Sequence, residues 1–287
     1  MLSVVIPVFD AAGVVSGQLE ALAKQEWSRP WELVVADNGC TDGTIDVVER
    51  WRDRMPSLRI VDASDRRGPA HARNVGVGEA RSEAVAFCDA DDEVAPGWVA
   101  AMGEALSRHA LVACRSDPTK LNERWVAETR EAQPAGALST VPFPPFAPYA
   151  GSGGLGVKKS LHERLGGFDE SMPVLEDVDY CLRARAEGVQ LELVPDALLH
   201  YRYRTGWAAT FRQARVYAEQ MALVQRRHGE KEARARRRRP WLLRGWKPIL
   251  VTVASLHRRG SRAKLAWLLG WQAGRYVGSV RYRVLAN

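Results

Sequence analysis

No apolar stretch in the 287 residues reaches the roughly 18 that a membrane-spanning helix requires. The best candidate, Pro248–Leu256, is half that length. The opening MLSVVIPVFD offers neither a basic segment nor a cleavage site, so no signal peptide is expected. Cysteines number four (Cys40, Cys88, Cys114 and Cys181), without CxxC or zinc-ligand spacing. That argues against a disulfide scaffold and points to a reduced, cytoplasmic chain with its thiols acting as small hydrophobes. There is no internal repeat. With 46% apolar and 26% charged residues, the composition is globular, neither disordered nor collagen-like.

Acidic residues are scarce in one region only. Residues 201–287 hold 3 Asp+Glu against 21 Lys+Arg, whereas residues 1–200 hold 31 against 20. The net charge of +7 therefore describes neither half. An acidic body repels a phosphate backbone, so nucleic acid is not an expected partner. The basic tail carries five of the ten tryptophans, four of them in RRRRPWLLRGWKPILVTV and AKLAWLLGWQAGRYV. That is the composition of a helix lying in the plane of an anionic membrane. The competing reading is a helical appendage that packs its tryptophans against the rest of the chain or a second subunit.

The first 115 residues alternate short β-branched runs, Leu2–Pro7, Glu32–Ala36, Leu58–Asp62 and Ala84–Cys88, with helical patterns at Val14–Gln25, Thr44–Met55 and Ala70–Ala80. Continuous apolar strands alternating with amphipathic helices predict an α/β fold, with a mostly parallel sheet covered on both faces. Ligands bind such sheets beyond the carboxyl ends of the strands. Carboxylates gather at those ends: Asp10, Asp37, Asp62 and Asp65, then Asp89, Asp91 and Asp92. Capping of the following helices explains Thr41 or Asp42. It does not explain three carboxylates within four residues, which repel unless a cation sits among them.

Later segments add four candidates. CDADDE (88–93) spaces Asp89 and Asp91 to reach one hard cation, the alternative being a capping turn. GSGGLG (151–156) matches GxGxxG formally, but the proline-rich FPPFAPYA before it cannot be a central strand, so a dinucleotide site is rejected. Its Gly153 and Gly154 instead permit close backbone approach to a ligand. In LEDVD (175–179), Asp177 at a helix start could take a proton from a hydroxyl, or Glu176 and Asp177 could merely favour the helix dipole. His200, ending an apolar run, becomes a metal ligand only if the chain folds it back to Asp91.

In order, SVVIPVFD, VVADNGCTDGT, RRGPAHARNVG, AFCDADDEV, GGFDESMPVLEDVDYCLR and His200 resemble the family 2 glycosyltransferases, inverting enzymes of the GT-A fold. The resemblance covers Leu2 to about Arg204. It implies a catalytic domain over 1–204, with a nucleotide-binding half (1–115) and an acceptor half (116–204), followed by a basic helical extension over 205–287. It also implies sugar transfer from a nucleoside diphosphate, with UDP favoured by family frequency alone, to an acceptor hydroxyl such as that of a lipid-linked saccharide. Pro7, Val8, Asp10 and Asp37 would line the nucleoside pocket, and Arg73 would lie near the nucleotide. Asp89 and Asp91 match the DxD motif for ribose and a divalent cation, Mn²⁺ or Mg²⁺, with His200 joining the metal in some members. Asp177, beside Glu176, matches the catalytic carboxylate, and Gly153–Gly154 the glycine-rich loop. A cytoplasmic enzyme is expected, with the tail allowing a peripheral position on the inner face of a membrane.

A sugar nucleotidyltransferase shares a related sheet but would want a basic, glycine-rich loop after the first strand, where VFDAAG has no Lys or Arg. A glycosidase would leave the acidic strand ends unexplained. A non-catalytic module gripping nucleic acid or membrane through the tail is the remaining alternative.

Overall fold

The structure is a computed structural model and describes residues 1–55, 57–127, 137–229, 245–257 and 259–286. The elements begin with β1 (Leu2–Val8), α1 (Val15–Ala23), β2 (Trp31–Asp37), α2 (Thr44–Glu49), β3 (Leu58–Asp62), α3 (Pro69–Glu79) and β4 (Ala84–Phe87). Next come β5 (Glu93–Val94), α4 (Trp98–Arg108), β6 (Leu111–Asp117), α5 (Arg124–Ala127) and the short β7 (Ser139–Thr140) and β8 (Pro148–Tyr149). The remainder is β9 (Leu155–Lys158), α6 (Lys159–Arg164), α7 (Glu176–Ala186), β10 (Glu192–His200), α8 (Trp207–His228), α9 (Trp246–Val253) and α10 (Arg259–Tyr282).

The chain packs as two compact units. The first comprises the described residues of Met1–Leu121, Gln133–Ser139 and Tyr149–Arg202; the second, those of Asn122–Ala132, Thr140–Pro148 and Tyr203–Asn287. Two segments from the middle of the chain thus group with the C-terminal helices, a division that the linear split at 204/205 does not contain.

All eight strands of the main sheet lie in the first unit, in the order β3-β2-β1-β4-β9-β6-β10-β5. β1 runs parallel to β2 and β4, β2 to β3, and β6 to β10. β9 is antiparallel between β4 and β6, and β5 closes the edge antiparallel to β10. Alternate residues feed two cores. Val4, Ile6 and Val8 pack with Leu19, Trp98 and Met102 on one face, while Val5 packs with Val77, Phe87 and Tyr180 on the other. Both faces being dry is why these strands read as unbroken apolar runs.

The structure also departs from the sequence expectations. The helix expected over Thr44–Met55 ends at Glu49 and gives way to a 3₁₀ turn at Arg52–Arg54. The apolar run that His200 ends lies in a nine-residue strand, β10, whose register against β6 slips between Val194 and Leu198. Pro195 lies in that gap and has no N–H for the ladder. At α2 the N-cap position falls on Gly43, in a left-handed conformation, while Asp42 Oδ1 accepts the first helical N–H, that of Thr44, at 3.0 Å.

In the second unit, α8 and α10 pack closely through small residues. Gly270, Gly274 and Gly278 meet Ala214, Ala218 and Ala222, and a Cβ on Gly274 would strike the Arg215 carbonyl oxygen. Trp267 stacks on Trp271 and meets the edge of Tyr217, so these two tryptophans are spent on packing within the unit. Trp207, by contrast, is 70% exposed. Among the described residues, no helix is long and apolar enough to cross a membrane.

Candidate active site

The carboxyl ends of β1, β2 and β3 are laced together by their own loops. Val8, fully buried, accepts a hydrogen bond from Asn38 N–H at 2.9 Å, directly beside Asp37. Asp37 Oδ1 accepts the N–H groups of Gly39 (3.1 Å) and Cys40 (2.8 Å). Asp10, held in the left-handed region at φ +45°, accepts Thr41 N–H at 2.8 Å. Pro7 and Val8 sit opposite Ala36 and Asp37 in the ladder. Pro7, Val8, Asp10 and Asp37 therefore share one strand-end region. The Arg67 guanidinium lies 4.1 Å over the exposed Phe9 ring at the same edge.

The DADDE loop is pinned from below. Gln18 of α1, completely buried, donates to Asp89 C=O (3.1 Å) and accepts from Val94 N–H (2.9 Å), clamping both ends. Asp91 is exposed, while Asp92 points inward and accepts Arg202 N–H at 2.8 Å. Burial, reinforced by Asp89, pushes the Asp92 carboxyl up to about 9.

Arg73 of α3 joins this loop to α7. Its side chain is 4% exposed; it donates to Asp89 Oδ1 at 2.5 Å and to Glu176 Oε1 at 3.0 Å. Burial works against its charge, but Asp89 and then Glu176 raise its pKa above the ordinary arginine value. Glu176 is also buried, and desolvation together with neighbouring Asp177 pushes it up to about 7 against the pull of Arg73. Asp177 is raised too, chiefly by burial, although two backbone donors oppose the shift: Ser152 N–H (2.9 Å) and Val178 N–H (2.8 Å). Leu175, just before this pair, adopts φ +62°, strained backbone for a residue with a Cβ.

The glycine turn touches both carboxylate groups. Ser152 N–H holds Asp177 Oδ2, and a Cβ on Gly153 would stand 2.7 Å from Asp89 Oδ2. A Cβ on Gly154 would stand 2.8 Å from Cys114 Sγ. Gly153 and Gly154 are thus required by close approach, and the turn leads into β9 rather than into a nucleotide-binding helix.

His200 returns to the acidic loop in the backbone, opposite Glu93 in the β10–β5 ladder. Its Nδ1 faces Asp117 Oδ2 at 3.7 Å, beyond hydrogen-bond reach, and burial followed by Lys120 lowers its pKa. Among the described residues, no group of three or more His, Cys, Asp or Glu side chains is gathered to hold a metal. Asp89, Asp91 and His200 consequently make no closed metal cage. The carboxylate oxygens of Asp89 and Asp91 suit a hard cation that takes one or two carboxylates and draws its other ligands from a diphosphate and water. Asp89 Oδ2, left over when Oδ1 pairs with Arg73, lies against the bare Cα of Gly153.

The family model described as Glycosyl transferase family 2 matches residues 3–165. The chain belongs to glycosyl transferase family 2. Its mixed α/β sheet is the GT-A arrangement, and a helical C-terminal extension follows it. The matched segment ends before Glu176, Asp177 and His200, so the roles of these three rest on their geometry and the motif resemblance. The pre-mycofactocin glycosyltransferase of Mycobacterium tuberculosis is 30% identical over 251 residues, an alignment covering 81% of this chain and 49% of that protein. The chain thus spans about half the length of that curated relative. Two solved glycosyltransferases share the fold. Mannosyltransferase PcManGT from Pyrobaculum calidifontis, in complex with GDP-Man and Mn²⁺, has a TM-score of 0.67 at 23% identity, covering 96% of this chain and 86% of its own. S. aureus TarS 1-349 with UDP-GlcNAc has 0.57 at 18%, covering 98% and 91%.

Several residues that organise this family 2 site were not singled out in the sequence. Asn74 of α3 exchanges hydrogen bonds with Phe168 N–H (2.8 Å) and C=O (3.0 Å) and donates to Glu170. His71 bridges Asp65 (2.8 Å) and Glu170 (3.0 Å); burial lowers its pKa, but the two carboxylates outweigh this and raise it. The signal was present in RRGPAHARN and GGFDE, but their pairing spans about a hundred residues and leaves no local trace.

Proposed function

We propose that the chain is a metal-dependent inverting glycosyltransferase that moves a sugar from a nucleoside-diphosphate donor to an acceptor hydroxyl, with Asp177 as general base. One observation carries the reading. The 151–154 turn lies between Asp89, on the donor-motif loop, and Asp177, on the helix start, while Arg73 ties Asp89 to Glu176. A donor motif and a base candidate therefore flank a single glycine turn.

In this account Pro7, Val8, Asp10 and Asp37 receive the nucleoside beyond β1 and β2. Asp91, with Asp89, would hold Mn²⁺ or Mg²⁺ on the diphosphate, and such an ion stabilises the charge that develops on the leaving diphosphate. His200 is an additional ligand only if its imidazole turns from Asp117. Asp177, raised by burial yet kept in place by Ser152 and Val178 N–H, accepts the acceptor's hydroxyl proton as its oxygen attacks the anomeric carbon. Attack opposite the leaving group inverts the configuration and requires no protein nucleophile. Glu176, engaged by Arg73, orients that helix start. Gly153 admits Asp89 Oδ2 and Gly154 the Cys114 thiol, so the missing side chains let the turn close on the donor-motif loop instead of making room for a ligand. The catalytic role falls to residues 1–204 and an accessory role to 205–287.

The test is a panel of UDP-, GDP- and TDP-sugars assayed for nucleoside diphosphate release, with and without chelator. Release from one donor class that disappears with EDTA and returns with Mn²⁺ or Mg²⁺ is expected. UDP is the first expectation, and the GDP-Man bound to the mannosyltransferase neighbour makes GDP the necessary second arm. Undiminished release in EDTA would contradict the metal assignment, and no nucleoside diphosphate release, with pyrophosphate formed instead from a nucleoside triphosphate and a sugar 1-phosphate, would favour a sugar nucleotidyltransferase. A lipid-linked saccharide is the proposed acceptor class.

A further inference from the structure

We propose that α9 is a membrane-docking element that lays its apolar face on an anionic lipid bilayer. The helix has only two residues turned inward, Ile249 and Thr252, three apart and so on one face. Leu250, Val251 and Val253 stand 67%, 64% and 47% exposed, and Trp246 38%. Trp246, Leu250 and Val253, at three- and four-residue spacing, share one exposed stripe, with Val251 beside it across the exposed Lys247, an apolar surface that a soluble chain seldom leaves uncovered. The Trp246 indole N–H is already satisfied by Tyr276 Oη at 3.0 Å, leaving an amphipathic ring suited to a headgroup boundary.

Charge selects the occupant. α8, α9 and α10 contain one acidic residue, Glu219, and it is neutralised by Arg281 at 2.7 Å and Arg215 at 3.6 Å. The excess of this part of the sequence, 21 Lys+Arg against 3 Asp+Glu over residues 201–287, calls for an anionic partner. A second copy of this unit would bring like charge to like charge. Nucleic acid would satisfy the arginines but leave Leu250, Val251 and Val253 in water. An anionic bilayer accommodates both features, each cation near its surface adding roughly 1 kcal/mol of attraction. The inference is independent of the transfer reaction, because it concerns binding without nucleotide.

The test is co-sedimentation of the full chain with phosphatidylcholine vesicles, with and without phosphatidylglycerol. Binding at least about tenfold stronger to the phosphatidylglycerol vesicles is expected. A Leu250→Ser, Val251→Ser, Val253→Ser variant should lose about tenfold or more of it. Its Tm and nucleoside diphosphate release should be unchanged, since the three side chains face solvent. Undiminished vesicle binding by that variant would overturn the proposal, as would no binding by the native chain. Displacement of the vesicles by stoichiometric RNA, or a dimer in light scattering that the variant abolishes while vesicle binding persists, would also overturn it.

Discussion

Arg73→Met removes the cation that, among the described residues, holds Asp89 and Glu176 together, and its cost follows from burial. The Arg73 and Glu176 side chains are 4% and 6% exposed, so the substitution strands a carboxylate out of reach of water. Breaking a buried pair by deleting one partner costs about 3–5 kcal/mol. For a unit of this size that lowers Tm by roughly 6–20 °C. The loss should depend on pH. Glu176 already has its folded pKa pushed up to about 7 from an ordinary 4.5, and losing Arg73 raises it further. An acid raised in this way destabilises the fold when ionised, and the penalty vanishes as pH falls below the unfolded value. The Tm gap between variant and native chain should therefore narrow from pH 8 toward about pH 5. Arg73→Met combined with Glu176→Gln should recover part of the loss, a coupling of about 0.5–3 kcal/mol. Differential scanning calorimetry of the four proteins at several pH values is the assay. An Arg73→Met Tm within about 2 °C of native, or a gap that widens on acidification, would refute the reasoning.

Three further outcomes are expected. Gly153→Ala pushes a Cβ to 2.7 Å from Asp89 Oδ2, so kcat/KM for the donor should fall roughly 10–100-fold while Tm barely moves; an unchanged kcat/KM would show that the turn does not position Asp89. His71, raised by Asp65 and Glu170, contributes stability that is full below about 6.5 and lost as pH rises through its folded value. The Tm difference between native and His71→Gln should accordingly shrink on going from about pH 6 to alkaline buffer, and a pH-independent difference would contradict the charge assignment. Gly274→Ala drives a methyl into the Arg215 carbonyl and should destabilise the α8–α10 pair by about 1–3 kcal/mol, read from helix melting by circular dichroism.

The strands that sequence foretells best are those with both faces dry. β1, β2 and β4 show as apolar runs because residues such as Val4 and Val5 enter different cores, and their polar residues Ser3 and Glu32 sit near the strand starts, bonded to each other, while the edge strand β3 carries Arg59 within it. β9 does not show. Its four residues, LGVK, follow directly on the glycine turn, and what makes it a strand is pairing with β4 and β6, far away in sequence. Asp89, Asp91 and Asp177 stood out in the sequence as carboxylates clustered at strand and helix ends, with the capping and helix-dipole readings open beside the chemical one. Arg73 was legible only through its motif. Its actual partners lie 16 and 103 residues away, a distance that no local pattern encodes. Asp92 looked equivalent to its neighbours, yet the loop turns it inward onto Arg202 N–H while Asp91 faces out. In the tail, the composition announced charge and tryptophan. The Gly270–Gly274–Gly278 spacing that seats α10 on α8 acts through what it lacks, and composition does not reveal that.

The most direct test of the catalytic assignment is Asp177→Asn, measured for turnover and, separately, for donor affinity by calorimetry. Asparagine keeps the side chain's size and its acceptor oxygen for Ser152 N–H but cannot take the hydroxyl proton. The account predicts that kcat falls by about 100-fold or more while the donor Kd stays within about threefold. Turnover close to native, or a loss of donor binding as large as the loss of turnover, would contradict Asp177 as the base.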